Sequence, residues 1–365
     1  MIRILFVSHY LSRNGTEAFM MNVFRNIDRS KFHVDFLIFS RKGIAYGDEI
    51  VGNGSMVYVL PERKKGLFYY QSLDTFFKKH QYDVIHWCAG SCTSIAPLYY
   101  AWKYQIPIRI AHSHSSSCVG KHNLLLHYLL GPVMNRLATE RLSCSDKAGK
   151  WFFKSMPYKV VKNGIDIKKY SFDVMERAKK RAELGISPYV KVIGHVGRFD
   201  SNKNHSFILD VFRHYINLHS DAVLMLIGVG ATKKITEEKV KSFHLEDRVL
   251  FLGERTDVPS LLQVMDLFIM PSLFEGLPFV LVEAQAAGLP CLVSDTVDVG
   301  AKITPHLDFM SLKQSTEEWA KAIGDCFAKH QRGNSDQYII DTGYSIEDTI
   351  NMLEGIYSCK IDERG

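Results

Sequence analysis

The stretch Leu267-Phe268-Ile269-Met270-Pro271-Ser272-Leu273-Phe274-Glu275-Gly276-Leu277-Pro278-Phe279-Val280-Leu281-Val282-Glu283-Ala284 contains a strand, a loop and the opening of a helix. Residues 267–270 are apolar without alternation, the pattern of a strand covered on both faces and so of a parallel sheet. Pro271 stops the strand, and Pro278 suits the first turn of a helix. At Gly276, Leu277 and Pro278 the backbone enters that helix, where free N–H groups and the helix dipole favour hydroxyl and phosphate oxygens. Glu275 sits in the loop, and Glu283 lies about a turn and a half into the helix. The spacing turns both carboxylates toward one crevice at the carboxyl end of a strand.

The same rhythm extends in both directions. Residues 190–196, 223–227, 249–252 and 291–293 read as further strands with helices between them. The first part of the chain repeats the pattern, with strands over 2–8, 34–39, 56–60, 84–86, 108–111 and 142–145 and helices near 17–26, 71–80 and 122–140. Strands alternating with helices imply crossover connections and mainly parallel sheets. A length of 365 residues accommodates two domains. The expected fold is α/β, two Rossmann-like domains facing a cleft. Lys162-Asn163-Gly164-Ile165-Asp166 marks the boundary, because an Asn-Gly turn precedes a charged, poorly apolar stretch over 168–180. The first domain is thus expected over 1–163 and the second over 164–344. A last helix over 345–365 opens at Ser345, carries Ile346, Ile350, Leu353 and Tyr357 on one stripe, and is expected to pack back on the first domain.

Composition excludes several classes. No apolar run reaches the roughly 18 residues of a membrane span; the longest, over 124–133, is interrupted by His127 and Gly131-Pro132. The N-terminal apolar run contains Arg3 and leads into Ser8-His9, unlike a signal peptide. Seven cysteines are scattered without a C-x-x-C pair, which disfavours structural zinc and suits a reducing, cytoplasmic compartment. Residues 1–165 hold 22 Lys and Arg against 10 Asp and Glu, a balance of +12; the rest holds 23 against 29, a balance of −6. Such asymmetry suggests that the first half faces something anionic. Two segments sharpen this: Arg63-Lys64-Lys65 leading into Leu67-Phe68-Tyr69-Tyr70, and Leu124-Leu125-Leu126 with Leu129-Leu130 between Lys121 and Arg136. These leucines are either core or part of a surface that meets an anionic membrane. No nucleic-acid partner is expected.

The residues after each strand carry the chemistry. After the first come Asn14-Gly15-Thr16-Glu17, where Gly15 at a helix start permits close approach of a phosphate or sugar. An ordinary turn and cap is the alternative. After the fifth come His112-Ser113-His114, two histidines placed for a ligand or, equally, for structural hydrogen bonds. The second half opens on Gly197-Arg198-Phe199-Asp200-Ser201-Asn202-Lys203, where a guanidinium fork and a lysine point charge at a helix mouth form a natural diphosphate clamp. The alternative there is two solvated loop charges.

Taken together these segments resemble the retaining glycosyltransferases of the large fourth family, which have the GT-B fold. The resemblance covers nearly the whole chain and is strongest over 191–294. It rests on Gly197-Arg198 with Lys203, Leu226-Ile227-Gly228-Val229-Gly230, Val249-Leu250-Phe251-Leu252-Gly253 with Arg255-Thr256-Asp257-Val258, and Glu275 to Glu283 as the family's E-x7-E. The resemblance implies that Arg198 and Lys203 hold the donor diphosphate, Glu283 the ribose and Glu275 the transferred sugar. Gly228 and the Leu252-Gly253-Glu254-Arg255 segment would line the nucleotide site. Asn14-Gly15-Thr16-Glu17 stands where the family has Gly-Gly-x-Glu, with Asn14 replacing the first glycine. The active-site histidine maps to His114, or to His112 because of the His-Ser repeat. Some relatives sharing Arg109-x-x-His112-x-His114 belong to exopolysaccharide or capsule gene sets.

The expected function is retaining transfer of a sugar from a nucleotide-sugar, expected to be a UDP-sugar, to a glycan or lipid-linked acceptor. The enzyme would be cytoplasmic or peripheral on the inner face of the membrane. Positive side chains and helix starts would stabilise the leaving diphosphate, and no carboxylate cluster accompanies them, so neither metal nor other cofactor is expected. One rival is a nucleotide-sugar epimerase of the same fold; another is a catalytically silent nucleotide-sugar-binding subunit. A nicotinamide dehydrogenase would need G-x-G-x-x-G, which neither half has.

Overall fold

The computed structural model describes residues 1–13, 15–41, 44–118, 120–275 and 278–359. The chain divides into two compact units, Met1–Gly164 with the segment from Ser345 on, and Ile165–Tyr344. The first unit is built on β1 (Ile2–Val7), β2 (Phe32–Ile38), β3 (Val57–Val59), β4 (Val84–Ala89), β5 (Ile108–Ser113), β6 (Glu140–Ser143) and β7 (Lys159–Val160). The second is built on β8 (Lys191–Val196), β9 (Ala222–Ile227), β10 (Val249–Gly253), β11 (Leu267–Met270), β12 (Cys291–Ser294) and β13 (Leu307–Met310). The sheet orders are β3-β2-β1-β4-β5-β6-β7 and β10-β9-β8-β11-β12-β13. Every pairing among the described residues is parallel.

Successive residues of a strand point to opposite faces, so a strand covered by helices on both sides must be apolar at every position. In β1, Ile4 and Phe6 enter one core layer while Leu5 and Val7 enter the other. In β11, Phe268 and Met270 face one layer and Leu267 and Ile269 the opposite one. The helix Ile346–Ser358 returns the chain to the first unit, where Ile346, Ile350, Leu353, Ile356 and Tyr357 join the core beside Phe6 and Phe32. The Ser345 side chain caps this helix by accepting from the Asp348 backbone N–H. Residues 360–365 lie outside the described residues.

Two features differ from the sequence reading. The charged, poorly apolar stretch over 168–180 forms the helices Ile167–Tyr170 and Val174–Glu183, which the sequence pattern does not signal. That second helix needs little apolar surface because Arg177 and Arg181 grip Asp266 at 2.6 and 2.8 Å and also donate to backbone carbonyls at 263–265. The edge strands β7 and β13 were not foreseen; one has two residues and the other sets Asp308 amid apolar neighbours. The expected helix runs from Lys121 to Leu137 through Pro132, and of the two readings of its leucines the exposed one holds for Leu125 and Leu129, which are 57% and 62% exposed.

Each sheet reverses its strand order once, between β1 and β4 and between β8 and β11. Crossovers depart to opposite sides there, and the loops at the carboxyl ends part to leave a crevice.

Candidate functional site

In the second unit the reversal brings the loop after β8 against the loop after β11. Their backbones are tied by Leu273 N–H donating to the Asn202 carbonyl at 2.8 Å, and by the Asn204 side chain donating to the Pro271 carbonyl at 3.2 Å. Lys203 Nζ lies 2.6 Å from Glu275 Oε1, and Asn202 Nδ2 donates to the same oxygen at 3.1 Å. Lys203 and Glu275 are each only about one-sixth exposed, so solvent screens the pair weakly. An ammonium has three donors, and among the described residues Lys203 spends one on Glu275 and keeps two. Arg198 sits on the same loop, largely exposed, with Nε 2.9 Å from Asp200 Oδ2. Among the described residues its terminal nitrogens engage no other protein group. The clamp residues therefore share one loop, but each cation faces its own carboxylate.

Glycines shape the floor of this crevice. Gly228 has φ +138°, and a Cβ there would lie 2.1 Å from the Gly197 carbonyl oxygen. A Cβ at Gly197 would lie 3.3 Å from the Lys203 stem. Gly228 N–H donates to the Gly253 carbonyl at 2.8 Å, so Gly197, Gly228 and Gly253 converge at the ends of β8, β9 and β10. Arg255 is committed to Asp257 by a bidentate pair at 2.7 Å, which holds that carboxyl well below its usual range. Gly276 and Leu277 lie outside the described residues. Pro278 precedes the helix Phe279–Ala286. Within that helix Glu283 accepts from the Tyr170 hydroxyl at 2.6 Å. Burial pushes the Glu283 carboxyl up to about 7, and the tyrosine bond opposes this only in part.

In the first unit a cavity of about 280 Å³ opens at the β1/β4 reversal, lined by Ser8, His9, Thr16, Glu17, Phe39, Trp87 and Ser91 among others. Hydroxyls, a carboxyl and aromatic faces in one small hollow suit a polyhydroxylated ligand. Gly15 opens the helix Gly15–Asn26 at the surface, and Asn14 lies outside the described residues. Glu17 is 5% exposed and accepts from Ser8 Oγ at 3.3 Å. Desolvation dominates that hydrogen bond and raises its carboxyl to about 7. A larger hollow of about 640 Å³ lies along the helix Leu67–Lys79, lined by Leu60, Phe68, Gln71, Ser72, Thr75 and Phe76, and offers no charged group.

His112, in β5, and His114, just after it, have ring centroids 4.1 Å apart and both pack against Phe19. His112 is wholly buried, and its Nδ1 lies 2.9 Å from His86 Nε2. Burial holds the His114 ring neutral, down to about 3. Both of its nitrogens are buried without a hydrogen-bond partner among the described residues. The donor atoms of His86, Cys88 and His112 lie within 4.8 Å of one another, a set that could hold a metal by residue type. The imidazoles direct their facing nitrogens at each other, and burial keeps Cys88 a thiol, so metal would have to replace an existing hydrogen bond.

Sequence reasoning did not find Asn202 as a partner of Glu275, Tyr170 as a partner of Glu283, or the pairing of His86 with His112. Asn202 lies between Arg198 and Lys203, whereas Tyr170 stands in the charged, poorly apolar stretch over 168–180 and His86 inside an apolar strand.

The described chain is similar to known proteins along its length. Residues 176–343 match the family described as Glycosyl transferases group 1. EpsF of Bacillus subtilis (strain 168), named as a glycosyltransferase, is 30% identical over 379 residues, covering 99% of this chain and 97% of its own. An Escherichia coli protein named UDP-Gal:alpha-D-GlcNAc-diphosphoundecaprenol alpha-1,3-galactosyltransferase is 29% identical over 61% of this chain and 60% of its own. The crystal structure of Anabaena Alr3699/HepE in complex with UDP-glucose superposes with a TM-score of 0.81 at 20% identity, covering 98% of this chain and 100% of that one.

Proposed function

The chain belongs to the group 1 glycosyl transferases, and from that premise we propose that it transfers a sugar from a UDP-sugar to a lipid-linked glycan during surface-polysaccharide synthesis. The observation that carries the reading is the loop pair at the β8/β11 reversal, where Lys203, Asn202 and Glu275 meet beside Arg198. Breaking the bond between the anomeric carbon and the diphosphate leaves negative charge on the departing phosphate. Arg198, Lys203 and the helix start at Pro278 would stabilise that charge as it develops, without a metal. Glu275, held by Lys203 and Asn202, would orient the sugar, and Glu283, held by Tyr170, would accept from the ribose. The expected stereochemistry is retention: the acceptor oxygen bonds the anomeric carbon on the face the phosphate leaves, and its proton passes to a phosphate oxygen.

The names of similar proteins support the substrate classes. The Escherichia coli relative is named for a UDP-sugar donor and a diphosphoundecaprenol acceptor, and the Anabaena protein was crystallised with UDP-glucose. The cavity at the β1/β4 reversal would take the acceptor's terminal sugar. Among the described residues no helix is long and apolar enough to cross a membrane. A lipid-linked acceptor would then be met by docking from the cytosolic side.

A panel of nucleotide-sugars, screened by thermal shift and then assayed with prenyl-diphosphate-linked sugars, tests the reading. Transfer from a UDP-sugar with the product anomer matching the donor by NMR is expected. Donor turnover that ignores the acceptor would mean an epimerase, and stabilisation by no nucleotide-sugar would overturn the proposal.

A further inference from the structure

A hydrogen-bonded chain enters the first unit from its far end. The Tyr357 hydroxyl, on the helix Ile346–Ser358, lies 2.7 Å from His86 Nδ1. His86 Nε2 lies 2.9 Å from His112 Nδ1, and His112 Nε2 has no partner among the described residues. Tyr357, His86 and His112 are all 0% exposed.

We infer that Tyr357 is a positioning residue that, through His86, fixes His112 in the tautomer protonated on Nε2. Neutral imidazoles carry one N–H each, so the chain has two self-consistent proton arrangements. In the first, Tyr357 donates to His86 Nδ1, His86 Nε2–H donates to His112 Nδ1, and His112 carries its proton on Nε2. In the second every bond reverses: His112 Nδ1–H donates to His86, and His86 Nδ1–H donates to the tyrosine oxygen. That reversal leaves the buried Tyr357 O–H without an acceptor and His112 Nε2 without a donor, two unmet groups where the first leaves one. Burial keeps both rings neutral and the phenol protonated, as either arrangement requires.

The consequence lies at the end of β5. His112 packs on the His114 ring at 4.1 Å, and the fixed tautomer makes its buried Nε2 an N–H donor beside that ring rather than a bare, accepting nitrogen. Histidine in the wrong tautomer cannot play the same part in transfer. This catalytic consequence rests on the glycosyltransferase reading; the tautomer itself does not.

Two-bond ¹H–¹⁵N spectra of the full chain with ¹⁵N-labelled histidine test the wiring. His112 should show a bare Nδ1 and a protonated Nε2. Tyr357→Phe keeps the ring against Phe32 and removes the only proton that orders the chain, so the His86 and His112 ring ¹⁵N shifts should move toward a tautomer mixture. His86→Gln should preserve the His112 tautomer, because an amide can accept from Tyr357 and donate to His112. A His112 protonated on Nδ1, or ring shifts unmoved by Tyr357→Phe, would overturn the proposal whatever the enzyme does. For transfer, Tyr357→Phe should lower kcat by roughly tenfold with donor KM nearly constant. An unchanged kcat beside shifted tautomers would refute the catalytic consequence while leaving the assigned function standing.

Discussion

Glu17 illustrates how a single residue is set by its surroundings rather than by its motif. The sequence placed it near a helix start, where a carboxylate is ordinarily favoured, yet burial in the β1/β4 cavity raises it to about 7. A carboxyl whose folded pKa lies above its unfolded value of 4.5 leaves the native state progressively less stable as pH rises from there to about 7. Glu17→Gln should therefore match the wild type near pH 4.5 and be more stable at pH 8, by up to about 3 kcal/mol. Urea denaturation at the two pH values checks this, and parallel pH slopes would contradict it. The candidate residues were legible because their loops follow recognisable strands. Their partners were not: Tyr170 stands 113 positions from Glu283, and Tyr357 stands 271 from His86. Nothing local in a sequence marks such pairs.

At the scale of elements, the loops after β8 and β11 act as one piece because Leu273, Asn202 and Asn204 stitch them together. On the proposed function, that stitching would separate the work of the two glutamates. Glu283 hangs from the helix Phe279–Ala286 and is held by Tyr170, whereas Glu275 neutralises Lys203. In a titration with UDP, Glu283→Ala should weaken binding by about tenfold, as loss of one hydrogen bond would. Glu275→Ala should leave UDP binding intact or tighten it, since the lysine is released, and should harm binding of the UDP-sugar. Equal losses of UDP binding in the two variants would show that the roles are not divided. The strands other than β7 and β13 were legible because burial on both faces makes them continuous apolar runs. The helix Val174–Glu183 was not, because arginines gripping Asp266 and backbone carbonyls replace the apolar stripe that signals a helix.

At the scale of the molecule, the +12 balance of residues 1–165 meets exposed apolar side chains. Leu67 and Phe68 follow Arg63, Lys64 and Lys65, while Leu125 and Leu129 lie on the helix Lys121–Leu137. Both groups flank the turn Cys92–Ser94: Tyr69 bonds Ser94 and Arg63 bonds Thr93 on one side, and His127 bonds Cys92 on the other. Because Thr93 and Ser94 also line the cavity, a membrane held by these residues would lie beside it. Basic residues near an anionic leaflet contribute about 1 kcal/mol each. The chain should co-sediment with anionic vesicles at low salt and release at high salt, and Leu125→Glu with Leu129→Glu should weaken the association. Indifference to anionic lipid would favour a soluble acceptor. The central claim, sugar transfer driven by a cationic clamp, is tested most directly by the initial rate of transfer from a UDP-sugar in excess EDTA. The wild type should be undiminished by EDTA, and Arg198→Ala and Lys203→Ala should each be slower by a factor on the order of 100 with folding intact. Variants as fast as the wild type, or a wild type inert until a divalent metal is added, would contradict it.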